Sequence, residues 1–277
     1  MLTAFRSMLL VPAFVLGASG SVAQGSDGTG ALFEALGLPE MIEIMREEGL
    51  DYGRDIGTDL LGEADDPQWA ALVSEIYNAD RMRSAVAEEL AAELEGADTQ
   101  PMLDFFKSEL GETIIGLEVS ARRALLDEAV EEASKEAAAI AMADETPRHA
   151  QVERFVAANE LVETNVVGAM NSNYAFYIGM MDGGAFPQEL TEDQILADVW
   201  SQEPEIRANT TEWVYSFLLM AYQPLSDDEL EAYIAFSESE AGQALNSALF
   251  GAFDGLFEDI SRQLGFASAQ FMGQEEI

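Results

Sequence analysis

The pattern F-x-x-S-E-x-G occurs twice in this chain, 131 residues apart. Phe105, Ser108, Glu109 and Gly111 form the first copy, and Phe236, Ser239, Glu240 and Gly242 the second. Each copy follows one apolar helical stretch and opens another. A serine at that point accepts hydrogen bonds from the first free backbone N–H groups of the new helix. The glutamate beside it places negative charge in the first turn, where it complements the helix dipole. The phenylalanine anchors the end of the preceding helix. The glycine, which costs about 1 kcal/mol of helix propensity, implies a close backbone approach. The motif therefore reads as a helix–corner–helix joint, and a chain that writes it twice reads as two copies of a helical unit.

At the same offset Trp69 falls on Trp200 and Ile114 on Leu245. Upstream, LFEALGLPEMIEIM resembles RFVAANELVETNVV at an offset of 120, which places an insertion of 11 residues near 180–190. The expected units are 31–143 and 147–268, joined by a long alanine- and glutamate-rich helix ending before Pro147. Residues 24–30 read as a flexible lead and 269–277 as a tail. From Ala241 through Leu245, Leu249, Phe253, Phe257 and Ile260 to Leu264, apolar residues recur at three- and four-residue steps, one stripe of a long helix. Ser226 with Glu229 and Thr191 with Gln194 read as capping boxes, and Thr146-Pro147 as a helix start. No alternating strand pattern competes. The fold class is all-α, four or five helices per unit, with no significant β-sheet.

The charge narrows the partners. The 277 residues hold 52 acidic and 13 basic side chains, a net charge of −39. Such a field repels phosphate backbones and anionic lipids, which argues against nucleic acid and suits a cationic partner or divalent counter-ions. Cysteine is absent, so disulfides and thiolate chemistry are excluded together. Residues 1–23 have the layout of a signal peptide: Arg6, an apolar stretch over Met8–Leu16 broken by Pro12, then Ser21-Val22-Ala23. Cleavage is expected after Ala23, which gives a periplasmic or secreted protein with no membrane span after processing.

The run LSDDELEAYIAFSESEAGQALNSAL resembles the C-terminal signature of the bacterial family known as domain of unknown function 2059. Phe236, Ser239, Gly242-Gln243 and Leu245 carry the likeness, which covers residues 213–250, with a weaker echo at 80–118. The family usually has proline after the serine, where this chain has Glu240 and Glu109. The resemblance implies an exported α-helical protein and brings no established activity, cofactor or site.

Catalytic constellations are scarce. His149 is the only histidine and cannot serve Ser108 and Ser239 in separate copies as a general base. One histidine and no cysteine disfavour zinc and di-iron sites, and no calcium loop or phosphate-binding glycine fingerprint is present. Glu88, Glu89, Glu93, Glu131 and Glu132 could supply a carboxylate pair, but among 52 acids close pairs arise without purpose. Aromatic and methionine residues concentrate at Tyr174, Tyr177, Met180 and Met181 and again at Trp213 and Phe217. Such stripes build cores; alternatively they line a groove for an apolar ligand or partner helix. The resulting expectation is a non-enzymatic exported interaction or envelope-maintenance module without cofactor or metal, binding an unknown protein partner. The alternative is a carrier or chaperone-like protein that binds an apolar small molecule as ligand, or a helix, in the aromatic- and methionine-rich groove of the second unit.

Overall fold

A computed structural model describes residues 25–62, 66–186 and 191–275. The proposed signal peptide at 1–23 lies outside them. Among the described residues the chain forms twelve α-helices and no strand. They are α1 (Gly25–Ala35), α2 (Leu38–Leu61), α3 (Pro67–Ile76), α4 (Ala79–Glu93), α5 (Gln100–Phe106) and α6 (Glu109–Ala124). Then follow α7 (Glu128–Ala143), α8 (Pro147–Ala158), α9 (Leu161–Asp182), α10 (Glu192–Ala221), α11 (Asp227–Ser237) and α12 (Glu240–Glu275).

The sequence signals act where expected. Thr191–Gln194 and Ser226–Glu229 both form reciprocal capping boxes. Thr146 Oγ1 accepts from the His149 N–H at 3.2 Å, with Pro147 in the first turn. The stripe residues Leu245, Leu249, Phe253, Phe257, Ile260 and Leu264 are all buried.

The two F-x-x-S-E-x-G joints have one geometry. Ser108 Oγ accepts from the Gly111 N–H at 3.1 Å and donates to the Phe105 carbonyl at 2.6 Å. Ser239 repeats both bonds, with Gly242 at 3.1 Å and Phe236 at 2.6 Å. A Cβ on Gly111 would lie 2.2 Å from the Phe105 carbonyl oxygen, and one on Gly242 2.2 Å from that of Phe236. The approaching backbone is thus the end of the preceding helix, and only glycine lets the corner close. The two joints also meet: the Phe105 and Phe236 rings stack at 4.0 Å between centroids, 12° from parallel. Ser239→Ala is expected to lower stability by about 1 kcal/mol. Ser239→Asp retains the cap acceptor and should lower the melting temperature less. Equal losses in both variants would sink the cap assignment.

Four expectations change. Residues 25–30 are the start of α1 rather than a flexible lead, because α1 packs on α4 and α5. Thr29 is buried there, and a Cβ on Gly28 would lie 2.6 Å from Thr99 Oγ1. Residues 269–275 continue α12 rather than forming a tail. Ala269 is buried, and the Phe271 ring packs edge-on against Trp69 at 5.4 Å. The matched tryptophans occupy opposite settings: Trp69 is buried and donates its indole N–H to the Gly53 carbonyl at 2.7 Å, whereas Trp200 is 64% exposed. Upstream, the left-handed helix entries are Gly37 (φ 63°) before Leu38 and Glu160 (φ 46°) before Leu161. They stand 123 residues apart rather than 120.

Nor do the two proposed units close separate cores. α12 packs along α9 and also touches α2, α3, α4 and α5. One core therefore runs from Leu32 and Phe106 through Phe155 and Tyr233 to Phe253 and Leu264. A small second cluster, with Val166, Met170, Ile195 and Val199, forms where α10 lies on α9.

Candidate functional site

The six residues expected to line an apolar groove do not converge on one. Met180, Trp213 and Phe217 are buried in the main core, the last two with rings stacked at 5.0 Å. Tyr174, Tyr177 and Met181 pack instead around the small second cluster. The Tyr174 hydroxyl donates to Glu192 at 3.3 Å and that of Tyr177 to Asp198. Burial, reinforced by Asp198, pushes the Tyr177 phenol up to about 12. His149 stacks on Tyr215, centroids 5.4 Å apart. Ser108 and Ser239 hold their helix caps, with hydroxyl protons committed to backbone carbonyls. No three histidine, aspartate or glutamate side chains among the described residues come close enough to hold a metal ion.

A buried polar network joins the two halves of the chain on α6. Arg122, 2% exposed, grips Glu48 with Nε at 3.0 Å and Nη2 at 2.7 Å, a bidentate, charge-assisted pair. Its guanidinium carbon also lies 5.6 Å from the Trp213 ring centroid. One turn earlier, the Glu118 carboxylate accepts from the Tyr222 hydroxyl at 2.6 Å and the Tyr233 hydroxyl at 3.2 Å. Burial pushes Glu118 up to about 7, although both tyrosine hydrogen bonds favour its charged form.

A candidate site lies between the end of α4, the α8–α9 joint and α12. It is a cavity of about 540 Å³ whose lining mixes polar and apolar groups. Its shape follows from local chain geometry. α8 ends at Asn159, and Glu160 turns the chain into α9 in a left-handed conformation that non-glycine residues rarely adopt. Asn159 is fully buried, and its Nδ2 donates to the Phe155 carbonyl at 2.6 Å. Because a carbonyl only accepts, that bond fixes the amide orientation and leaves Asn159 Oδ1 without a partner. Across the cavity Asn246 of α12 is 6% exposed, and its Oδ1 is also unpartnered.

Three carboxylates stand around these amides: Glu93, Glu160 and Asp254, with no lysine or arginine in the lining. Glycines make room for two of them. A Cβ on Gly251 would lie 2.9 Å from Glu93 Oε1, and one on Gly168 2.8 Å from Asp254 Oδ1. Asp254 accepts from Asn171 at 3.1 Å, and burial raises its pKa above the usual aspartate range. Of the five glutamates considered from sequence, the structure brings only Glu93 to this cavity. Sequence reasoning passed over Asn159 and Asn246, because an asparagine at a helix end or on a long helix carries no signal of its surroundings. The strain at Glu160 also had no signature.

These features define an all-α protein with a polar, acidic cavity. Residues 80–139, which span α4 to most of α7, match the family described as "Uncharacterized protein conserved in bacteria (DUF2059)". The match covers the first F-x-x-S-E-x-G joint, where the sequence carried the weaker echo, and does not reach 213–250. No curated protein and no solved structure matches the chain.

Proposed function

We propose that this is an exported, non-enzymatic interaction or envelope-maintenance protein whose partner is cationic. The observation that carries the reading is the fate of its basic side chains. Arg83 pairs with Glu43 and Asp80, Arg122 with Glu48, and Arg123 with Glu40. Arg154 pairs with Glu231, Arg207 with Glu163 and Glu203, and Arg262 with Asp182. Individually, exposed pairs of this kind contribute little stability. Together they consume positive charge inside the molecule, so most acidic side chains among the described residues are exposed and unopposed. A surface of that sign steers positively charged partners and repels nucleic acid and anionic lipid.

Export rests on the layout of residues 1–23, and the non-catalytic reading on the serine geometry. A two-copy origin is supported by the identical joints at Ser108 and Ser239 and by the paired left-handed helix entries. The burial of Met180, Trp213 and Phe217 in the main core weighs against the apolar-carrier alternative.

Mass measurement on the chain recovered from its own periplasm tests the reading. The mature chain is expected to begin at Gln24. In native spectra at low ionic strength it should carry a basic protein companion that dissociates as salt is raised. A chain retaining residues 1–23 in the membrane fraction overturns export. A chain that remains bare at low salt, or whose companion survives high salt, overturns the electrostatic partner.

A further inference from the structure

We infer that the chain is a dimer carried on one polypeptide. Its two units meet across a local two-fold axis, so the surface that each presents at its corner has the other unit as its partner. Such an interface is isologous: the same patch is used from both sides, and every contact has a reciprocal. The axis is located by a residue that touches its own counterpart. Phe105 and Phe236 hold the same position in the repeated joint, and their rings stack at 4.0 Å.

The packing around that stack is reciprocal. α4, α5 and α6 correspond to α10, α11 and α12, because Ser108 caps α6 and Ser239 caps α12 in the same way. α6 packs on α10, and α4 packs on α12. A head-to-tail pair would make one of these crossings without the other. Side chains mark both. From α6, Glu118 accepts from the Tyr222 hydroxyl at the end of α10, and Arg122 lies over the Trp213 ring. From α4, Arg81 donates to Gln263 of α12 at 3.3 Å. Inside the units the packing also matches, for α1 lies on α5 as α8 lies on α11. The same correspondence carries one open cleft onto another. Gly37, Ile115 and Val119 border a cleft of about 710 Å³ beside the α1–α2 corner. Their counterparts Glu160, Asn246 and Phe250 border the cleft at the α8–α9 joint. The symmetry is local to these helices. α12 runs on past Gly255, the counterpart of Ala124 where α6 ends, and packs on α2 and α3 without an equivalent.

This inference rests on the two-copy reading and is independent of export and of the cationic partner. A site for a sequence-specific protease at Glu145, exposed in the turn between α7 and α8, lets the folded chain be cut between the units. Native mass spectrometry is expected to find both pieces of the cut chain in one particle. Its urea midpoint should fall on dilution, each tenfold step costing ~1.4 kcal/mol, whereas the uncut chain should unfold in one transition at any concentration. Phe105→Ala and Phe236→Ala should each weaken the association of the cut pieces about tenfold. The double variant should weaken it little more, because both substitutions remove one shared contact. Trp200→Ala, at a position 64% exposed, should leave it unchanged. Separation of the cut chain into two folded pieces overturns the inference and leaves the two-copy reading standing. An uncut chain that unfolds in two steps also overturns it, as do phenylalanine variants that associate as tightly as the parent or whose losses add in full.

Discussion

Gly265→Ala is expected to destabilise the protein by about 2 kcal/mol or more, whereas Gly255→Ala, three turns earlier on the same helix, should stabilise it by up to about 1 kcal/mol. Both substitutions replace a glycine within α12 with the best helix former, so local propensity favours each by about the same amount. What differs is the neighbour. A Cβ on Gly265 would lie 2.1 Å from the Phe176 carbonyl oxygen and 3.0 Å from the Met180 nitrogen, both backbone atoms of α9. The crossing is reciprocal, because a Cβ on Gly179 of α9 would lie 2.1 Å from the Arg262 carbonyl oxygen of α12. A flexible side chain could swing aside, but two helix backbones can only separate. Separation would loosen the contacts of Phe176, Met180 and Leu264, which are buried beside the crossing. At Gly255 nothing lies within 4 Å of the added methyl. Urea midpoints of the two variants against the parent chain check the prediction, provided the slopes agree. If both variants shift the same way, the α9–α12 crossing is looser than the structure has it.

That crossing also marks the limit of what the sequence discloses. The stripe from Leu245 to Leu264 is legible as a helix because its periodicity is local, and all of its large apolar members are buried. The caps at Thr191 and Ser226 are legible for the same reason, since each needs only four consecutive residues. Periodicity shows that a face is buried but not what buries it. Gly179 and Gly265 stand 86 positions apart, and neither carries a mark of the other. Trp213, Phe217 and Met180 read equally well as groove or core. α12 lying against α9 buries Met180, and the end of α10 packing near α6, where Arg122 meets the Trp213 ring, buries Trp213 and Phe217; both arrangements are tertiary. The candidate cavity is still less legible, for Asn159 and Asn246 come from different helices and differ from solvated asparagines only in what surrounds them. The repeated joint is the exception. Its serine, glutamate and glycine are local signals, and their repetition shows that the corner recurs, though not that Phe105 and Phe236 stack on each other.

Burial gives Glu118 an opposite thermodynamic sign to the exposed pairs, and its removal should be visible as a change in pH dependence. Burial pushes its carboxyl up to about 7, from an ordinary value of 4.5, so the folded state holds the proton more tightly than the unfolded chain. Below about pH 4.5 both states are protonated and Glu118 contributes no slope. Between about 4.5 and 7 the unfolded chain releases its proton first, so stability falls as pH rises, by ~3 kcal/mol at most across the window. Above 7 the loss is complete and the contribution is flat. Asp254 and Glu258 are also raised by burial and slope the same way. Glu163, Glu229 and Glu231 are lowered by their hydrogen-bond partners, and the stability they give is lost at more acid pH. All five remain in a Glu118→Gln variant, so the difference between variant and parent isolates the buried carboxyl. Glutamine keeps an oxygen for the Tyr222 and Tyr233 hydroxyls without ever ionising. Urea unfolding is therefore expected to find the variant close to the parent at pH 5 and more stable than it at pH 8. Glu118→Ala, which leaves both buried hydroxyls without their acceptor, should be destabilised at both pH values, by about 1–3 kcal/mol for each orphaned group. A difference between Glu118→Gln and parent that does not change with pH would mean that Glu118 does not titrate in this window, and that the tyrosine bonds outweigh its desolvation.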